Sequence, residues 1–139
     1  MQPKQQSNWH WWLVLLLGAW LAAGQPGVDV LPIGGRAPFA ADKLSVVVVR
    51  ESSANHTQAQ LTVINGTDWR GYVIAHKGEF RVVDPDSPLD REQGWVKAAM
   101  AVKRDSLPWL LMSNGSDGYS GPLPADSAAM MALIEKYGG

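Results

Sequence analysis

Apolar positions cluster in short blocks along most of the chain, and the spacing inside each block predicts its element. Leu44-Ser45-Val46-Val47-Val48-Val49 is β-branched on consecutive positions, which suits a strand covered on both faces. Arg50 to Gln60 is polar and reads as a loop or a weak helix start. Leu61 to Ile64 is apolar, and Asn65-Gly66 interrupts it. Thr67 then caps a helix carrying Trp69, Tyr72, Val73 and His76 on one face, and Gly78 stops it. Phe80 to Val83 is a second strand, followed by the turn-rich Asp84-Pro85-Asp86-Ser87-Pro88. Asp90 to Arg104 reads as a helix with Trp95, Ala98, Ala99 and Val102 facing inward. Pro108 opens the apolar run Trp109 to Met112, where its missing amide is tolerated. Asn114-Gly115 supplies a tight turn, and Tyr119 to Leu123 returns as a strand. Asp126 is a plausible N-cap for a terminal helix over Ala128 to Tyr137. The predicted order is β-α-β-α-β-β-α. Parallel crossovers in the first half and a hairpin in the second imply a mixed sheet.

The amino-terminal segment follows another pattern. Met1 to Asn8 is polar, Trp9-His10-Trp11-Trp12 is aromatic-rich, and Leu13 to Ala23 is almost wholly apolar. From Trp9 to Gly24 the run is about 16 residues, shorter than the ~20 that a spanning helix prefers. Two readings stand for residues 1–24. One is a cleaved export signal ending at Ala22-Ala23-Gly24; the other is an uncleaved membrane anchor with the indoles at headgroup level. Residues 25–42, with Pro26, Pro32, Pro38 and Gly34-Gly35, read as a linker, and residues 43–139 as the folded domain. Both readings put the domain outside the cytoplasm, either membrane-anchored or secreted or periplasmic.

The 139 residues suffice for one domain and a short appendage. The net charge of −1 offers no basic stripe for nucleic acid. The chain has no cysteine, which excludes dithiol exchange, thiolate metal sites and disulfides. Ser53 and His56 are three apart with Asp68 downstream, but no Gly-x-Ser-x-Gly elbow accompanies them, so they suit a solvated loop better than a hydrolase site. His56 and His76 make a poor metal set without thiolates. Asp84, Asp86 and Asp90 lack the central Gly and terminal Glu of a calcium loop, and a helix-capping turn explains them more simply. Asn55-His56-Thr57, Asn65-Gly66-Thr67 and Asn114-Gly115-Ser116 match the Asn-x-Ser/Thr pattern, and the last two are also Asn-Gly turns. Trp69, Trp95 and Trp109 sit on core-facing elements; Trp109, directly after Pro108, is also placed to line a binding edge.

The element order, Leu107-Pro108 at the opening of the third strand, the Asn-Gly hairpin and the closing helix together resemble the thioredoxin-like superfamily. Val83 to Pro88 looks like its exit from the second strand, and Ser120-Gly121-Pro122-Leu123-Pro124 like its entry into the last helix. The resemblance covers roughly Lys43 to Tyr137 and implies a three-layer α/β fold, here preceded by an amino-terminal hydrophobic helix. It also implies that Leu107-Pro108 is the cis-proline dipeptide, whose backbone pairs with an extended peptide; the plainer reading is that Pro108 merely begins a strand. Where the family carries Cys-x-x-Cys, this chain has Ser52-Ser53-Ala54-Asn55-His56. The expectation is a redox-inactive domain that binds a peptide or protein segment through Leu107, Pro108, Trp109, Ser53 and His56. It has no catalytic residue, metal or cofactor, and it touches the membrane only through residues 9–24 if these are retained. The rivals are an envelope scaffold or self-association module without a ligand site, and a weak serine-type hydrolase.

Overall fold

A computed structural model describes residues 35–139 of the chain. The expected amino-terminal hydrophobic helix and the first part of the linker lie outside the described residues. The elements are β1 (Gly35–Arg36), β2 (Ser45–Val49), α1 (Gln58–Ile64), α2 (Thr67–Ala75), β3 (Glu79–Val83), α3 (Gly94–Met100), β4 (Trp109–Ser113), β5 (Asp117–Pro122) and α4 (Ser127–Gly138). They build a mixed α/β domain around a five-stranded sheet of order β1-β5-β4-β2-β3. β2 and β3 are parallel, and β4 is antiparallel to both β2 and β5.

Period-two alternation divides the core between the two faces of the sheet. Val46, Val48, Leu110 and Met112 pack with Val63, Ile64, Trp69, Val73, Met130 and Ile134 from α1, α2 and α4. Val47, Val49, Trp109 and Leu111 face the other way, onto Phe39 and onto Val96, Ala99 and Met100 of α3. The continuous β-branched run therefore serves two layers at once, which explains why it shows no polar alternation. Every residue of β2 and β4 is buried.

The structure refines several sequence expectations. The first crossover holds two helices, because Thr57 and Gln60 form a reciprocal capping box and start α1 inside the expected loop. Gly66, not Thr67, is the N-cap of α2. A Cβ there would lie 2.9 Å from Trp69 Cδ1, so the tight link between the helices depends on glycine. The indole of Trp69 donates to the Val63 carbonyl at 2.7 Å across that link. α3 is shorter than the Asp90 to Arg104 span, and the Arg104 guanidinium takes the Met100 carbonyl at 2.8 Å just past its end. From Gly35 onward the expected linker is part of the fold. Gly35 and Arg36 pair with Gly118 and Asp117, Phe39 is buried, and Ser113 Oγ donates to the Phe39 carbonyl at 2.8 Å. One isolated aromatic among Pro and Gly residues was the anchor that this composition concealed. Asp126 caps α4 as expected, accepting from the Ala129 amide at 2.7 Å. Asn114 Nδ2 donates to the Tyr137 carbonyl at 2.9 Å and fastens the hairpin to the end of α4.

Candidate functional site

Parallel pairing brings Val49 opposite Val83, and antiparallel pairing brings Val49 opposite Trp109. The carboxyl ends of β2 and β3 and the start of β4 therefore share one end of the sheet. The loops leaving β2 and β3 meet Leu107-Pro108 there, in the position where open α/β sheets generally hold ligands.

Asp84 organises this end. Its Oδ2 accepts from the Ser52 amide at 2.9 Å and from the Ser52 hydroxyl, and its Oδ1 accepts from the Asp86 amide at 3.1 Å. These bonds, led by that of the Ser52 hydroxyl, hold the Asp84 carboxyl below the ordinary aspartate value. The carboxylates of Glu51, Asp84 and Asp86 lie within 4.8 Å of one another. Among the described residues no Lys or Arg forms an ion pair with them; the ion pairs are Lys43–Glu79 and Arg81–Glu92. The sequence alone places Asp84 and Asp86 in a turn and Glu51 in a loop. Their meeting depends on the β2–β3 register, which local spacing does not carry.

Ser53 and His56 sit in the same loop but are not joined to each other. Ser53 Oγ donates to Glu51 Oε1 at 2.9 Å, and His56 Nε2 lies 2.9 Å from the Glu51 carbonyl. Asp68 lies at the start of α2, its Oδ1 accepting from the Trp69 amide at 2.8 Å. No nucleophile–base–acid chain is assembled from these groups.

Leu107 is one of the exposed large apolar residues, at 42%. Its amide and carbonyl have no hydrogen-bond partner among the described residues. The Leu107–Pro108 bond is cis, and the Pro108 carbonyl accepts from the Leu123 amide at 3.2 Å. A depression of about 380 Å³ beside Leu107 is lined by Pro85, Arg104, Asp105 and Ser106. Trp109 behaves differently from its expected role at the edge. It is buried, its ring packs with Val49 and Leu111, and its Nε1 donates to Ser120 Oγ at 3.0 Å. The first residue of a central strand must satisfy the core on one face, and that requirement claims the indole.

A larger cavity of about 570 Å³ opens at the opposite end of the sheet, among Ala41, Asp42, Lys43, Glu79, Gln93 and Trp95. Its polar groups are largely consumed by one another. Glu79 takes Lys43 Nζ at 3.1 Å and Trp95 Nε1 at 2.8 Å, and the Lys43 bond is the main reason its carboxyl is held low. His76, expected on the apolar face of α2, is exposed and stacks on Tyr72 with ring centroids 3.9 Å apart. Among the described residues no helix is long and apolar enough to cross a membrane. No family model matches the chain, and no curated protein or solved structure matches it either.

Proposed function

We propose that this is a redox-inactive thioredoxin-like domain that binds an extended peptide or protein segment at Leu107, with residues 1–24 serving for export or membrane attachment. The sheet order β5-β4-β2-β3, with β2 and β3 parallel and a hairpin returning along β5, supports the kinship. The binding reading is carried by one observation: among the described residues Leu107 has no partner for either backbone group, and its side chain is exposed where the β2 and β3 loops converge. An incoming strand gains main-chain hydrogen bonds from such a position, and side-chain pockets alongside supply selectivity. The depression beside Pro85 and Arg104 is placed to take a side chain next to the paired residue. Ser53 and His56 lie in the loop after β2, where both contact Glu51, and no reaction is assigned to them.

The test is an arrayed peptide library screened with the full chain in detergent. Peptides that bind wild type are expected to lose at least tenfold in affinity with Leu107→Asp, whereas Lys97→Ala, on the exposed side of α3, leaves them unchanged. Equal binding by wild type and Leu107→Asp removes the reading.

A further inference from the structure

We infer that the outer edge of β3 is a surface for pairing with a second copy of this chain, and that Arg81 holds it closed. Among the described residues β3 has a neighbour on one side only, β2. The Glu79 amide donates to the Leu44 carbonyl at 2.9 Å, and the Arg50 amide donates to the Val83 carbonyl at 3.0 Å. Alternate residues of a strand address the same neighbour, so Glu79, Arg81 and Val83 turn their backbone groups toward β2. Phe80 and Val82 therefore turn theirs outward. An edge strand without a second neighbour among the described residues is a template for another strand.

One antiparallel register uses all of these groups. With Phe80 opposite Val82 of a second copy, the two outward residues of each strand exchange both of their bonds across a twofold axis. The apolar side chains then match, and Arg81 falls opposite Arg81 of the second copy. Arg81 opposes this register in two ways. Its Nη1 donates to the outward Phe80 carbonyl at 2.8 Å, removing an acceptor that each strand needs. It also sets like charges face to face at the closely spaced position of the ladder, where such pairs are destabilising. Its pose is fixed from the side: Nε lies 3.7 Å from Glu92 Oε2, and the guanidinium carbon lies 5.9 Å from the Trp95 ring centroid. Those contacts keep the donor over its own strand.

The experiment compares full chains in one detergent by light scattering over a concentration series. Arg81→Thr, which removes both the cap and the charge, is expected to double the particle mass relative to wild type. Adding Val82→Pro, which deletes an outward amide and leaves the ladder with β2 intact, is expected to return it to the wild-type value. A mass unchanged by Arg81→Thr overturns the inference, and so does a doubling that survives Val82→Pro. A wild type whose mass already halves on Val82→Pro overturns the guarding role. A second measurement does not depend on the threonine variant folding. The chain has no cysteine, so Arg81→Cys in the full chain reports alone. Closely paired antiparallel positions hold Cα atoms about 4.5 Å apart, within disulfide reach. Mild oxidation is expected to cross-link Arg81→Cys much faster than Lys97→Cys; equal rates contradict the register.

Discussion

The two ends of the sheet differ in how far the chain has satisfied its own polar groups. At the end where β2 and β3 begin, Glu79 receives both Lys43 and Trp95, and Ser45 Oγ donates to the Lys43 carbonyl at 3.0 Å. At the end where those strands finish, among the described residues Leu107 has no partner for its amide or carbonyl, and the carboxylates of Glu51, Asp84 and Asp86 meet without an ion-paired cation. The larger cavity lies at the first end and the smaller at the second. Volume alone would favour the first, but unspent hydrogen-bonding capacity favours the second, because a ligand gains only from groups the fold has not already used.

The contrast can be tested by substitutions at each end. The largest expected effect on stability is at the closed end. A Cβ on Gly78 would lie 2.5 Å from the Leu44 carbonyl oxygen and 2.9 Å from Val73 Cγ1. Gly78→Ala is therefore expected to cost about 1–3 kcal/mol in denaturant unfolding, as overpacking does; a loss below half a kilocalorie would show that this end yields. Glu79→Gln comes next. It weakens the tie to Lys43 at a solvent-exposed pair and should cost no more than about 1 kcal/mol. At the open end, Leu107→Asp should change stability by less than about 0.5 kcal/mol while weakening peptide binding at least tenfold. A large thermal destabilisation would instead mean that Leu107 supports the fold.

The smallest effect concerns acid. Asp84 is held below its ordinary value of 3.8. A carboxyl depressed in the folded state contributes stability that is fully present above its unfolded value. That contribution is lost as pH falls through the lower folded value. The Ser52–Asp84 link should thus persist at neutral pH and release only below the ordinary aspartate range. A carbon-detected NMR titration of Asp84 should show a midpoint that moves upward in Ser52→Ala; an unmoved midpoint would assign the depression to another neighbour.

How much of this was legible in the sequence follows from the range of each interaction. Local signals carried the strands and the last helix: the β-branched run of β2, Asn114-Gly115 at the hairpin and Asp126 at the cap. The break between α1 and α2 was also local, since Asn65-Gly66 stood in the text, but Leu61 to Ile64 gave too short an apolar run to define a helix without the Thr57–Gln60 box. Segment 35–42 was obscured by its Pro and Gly content, because one buried Phe39 and two backbone pairs give no periodicity. At the candidate site, Pro108 was legible from its place before a strand, whereas Leu107 entered only through the resemblance that reads Leu107-Pro108 as a dipeptide facing a ligand. The Ser52–Asp84 bond spans 32 residues and depends on strand register. Trp109 was ambiguous because a strand's first residue can face either a core or a rim, and only the packing of α3 and Phe39 decides between them.

The central placement of β2 and β4 has a kinetic consequence. Each is flanked by strands on both sides and buried along its whole length. Their amides can exchange with solvent deuterium only when the whole sheet opens, whereas the outward amides of β3 and the Leu107 amide can exchange through small local excursions. Leu107 is separated from the slow-exchanging β4 by a single proline. A single proline thus separates an amide expected to exchange early from a strand expected to exchange last, and hydrogen exchange read residue by residue would show that step in the chain.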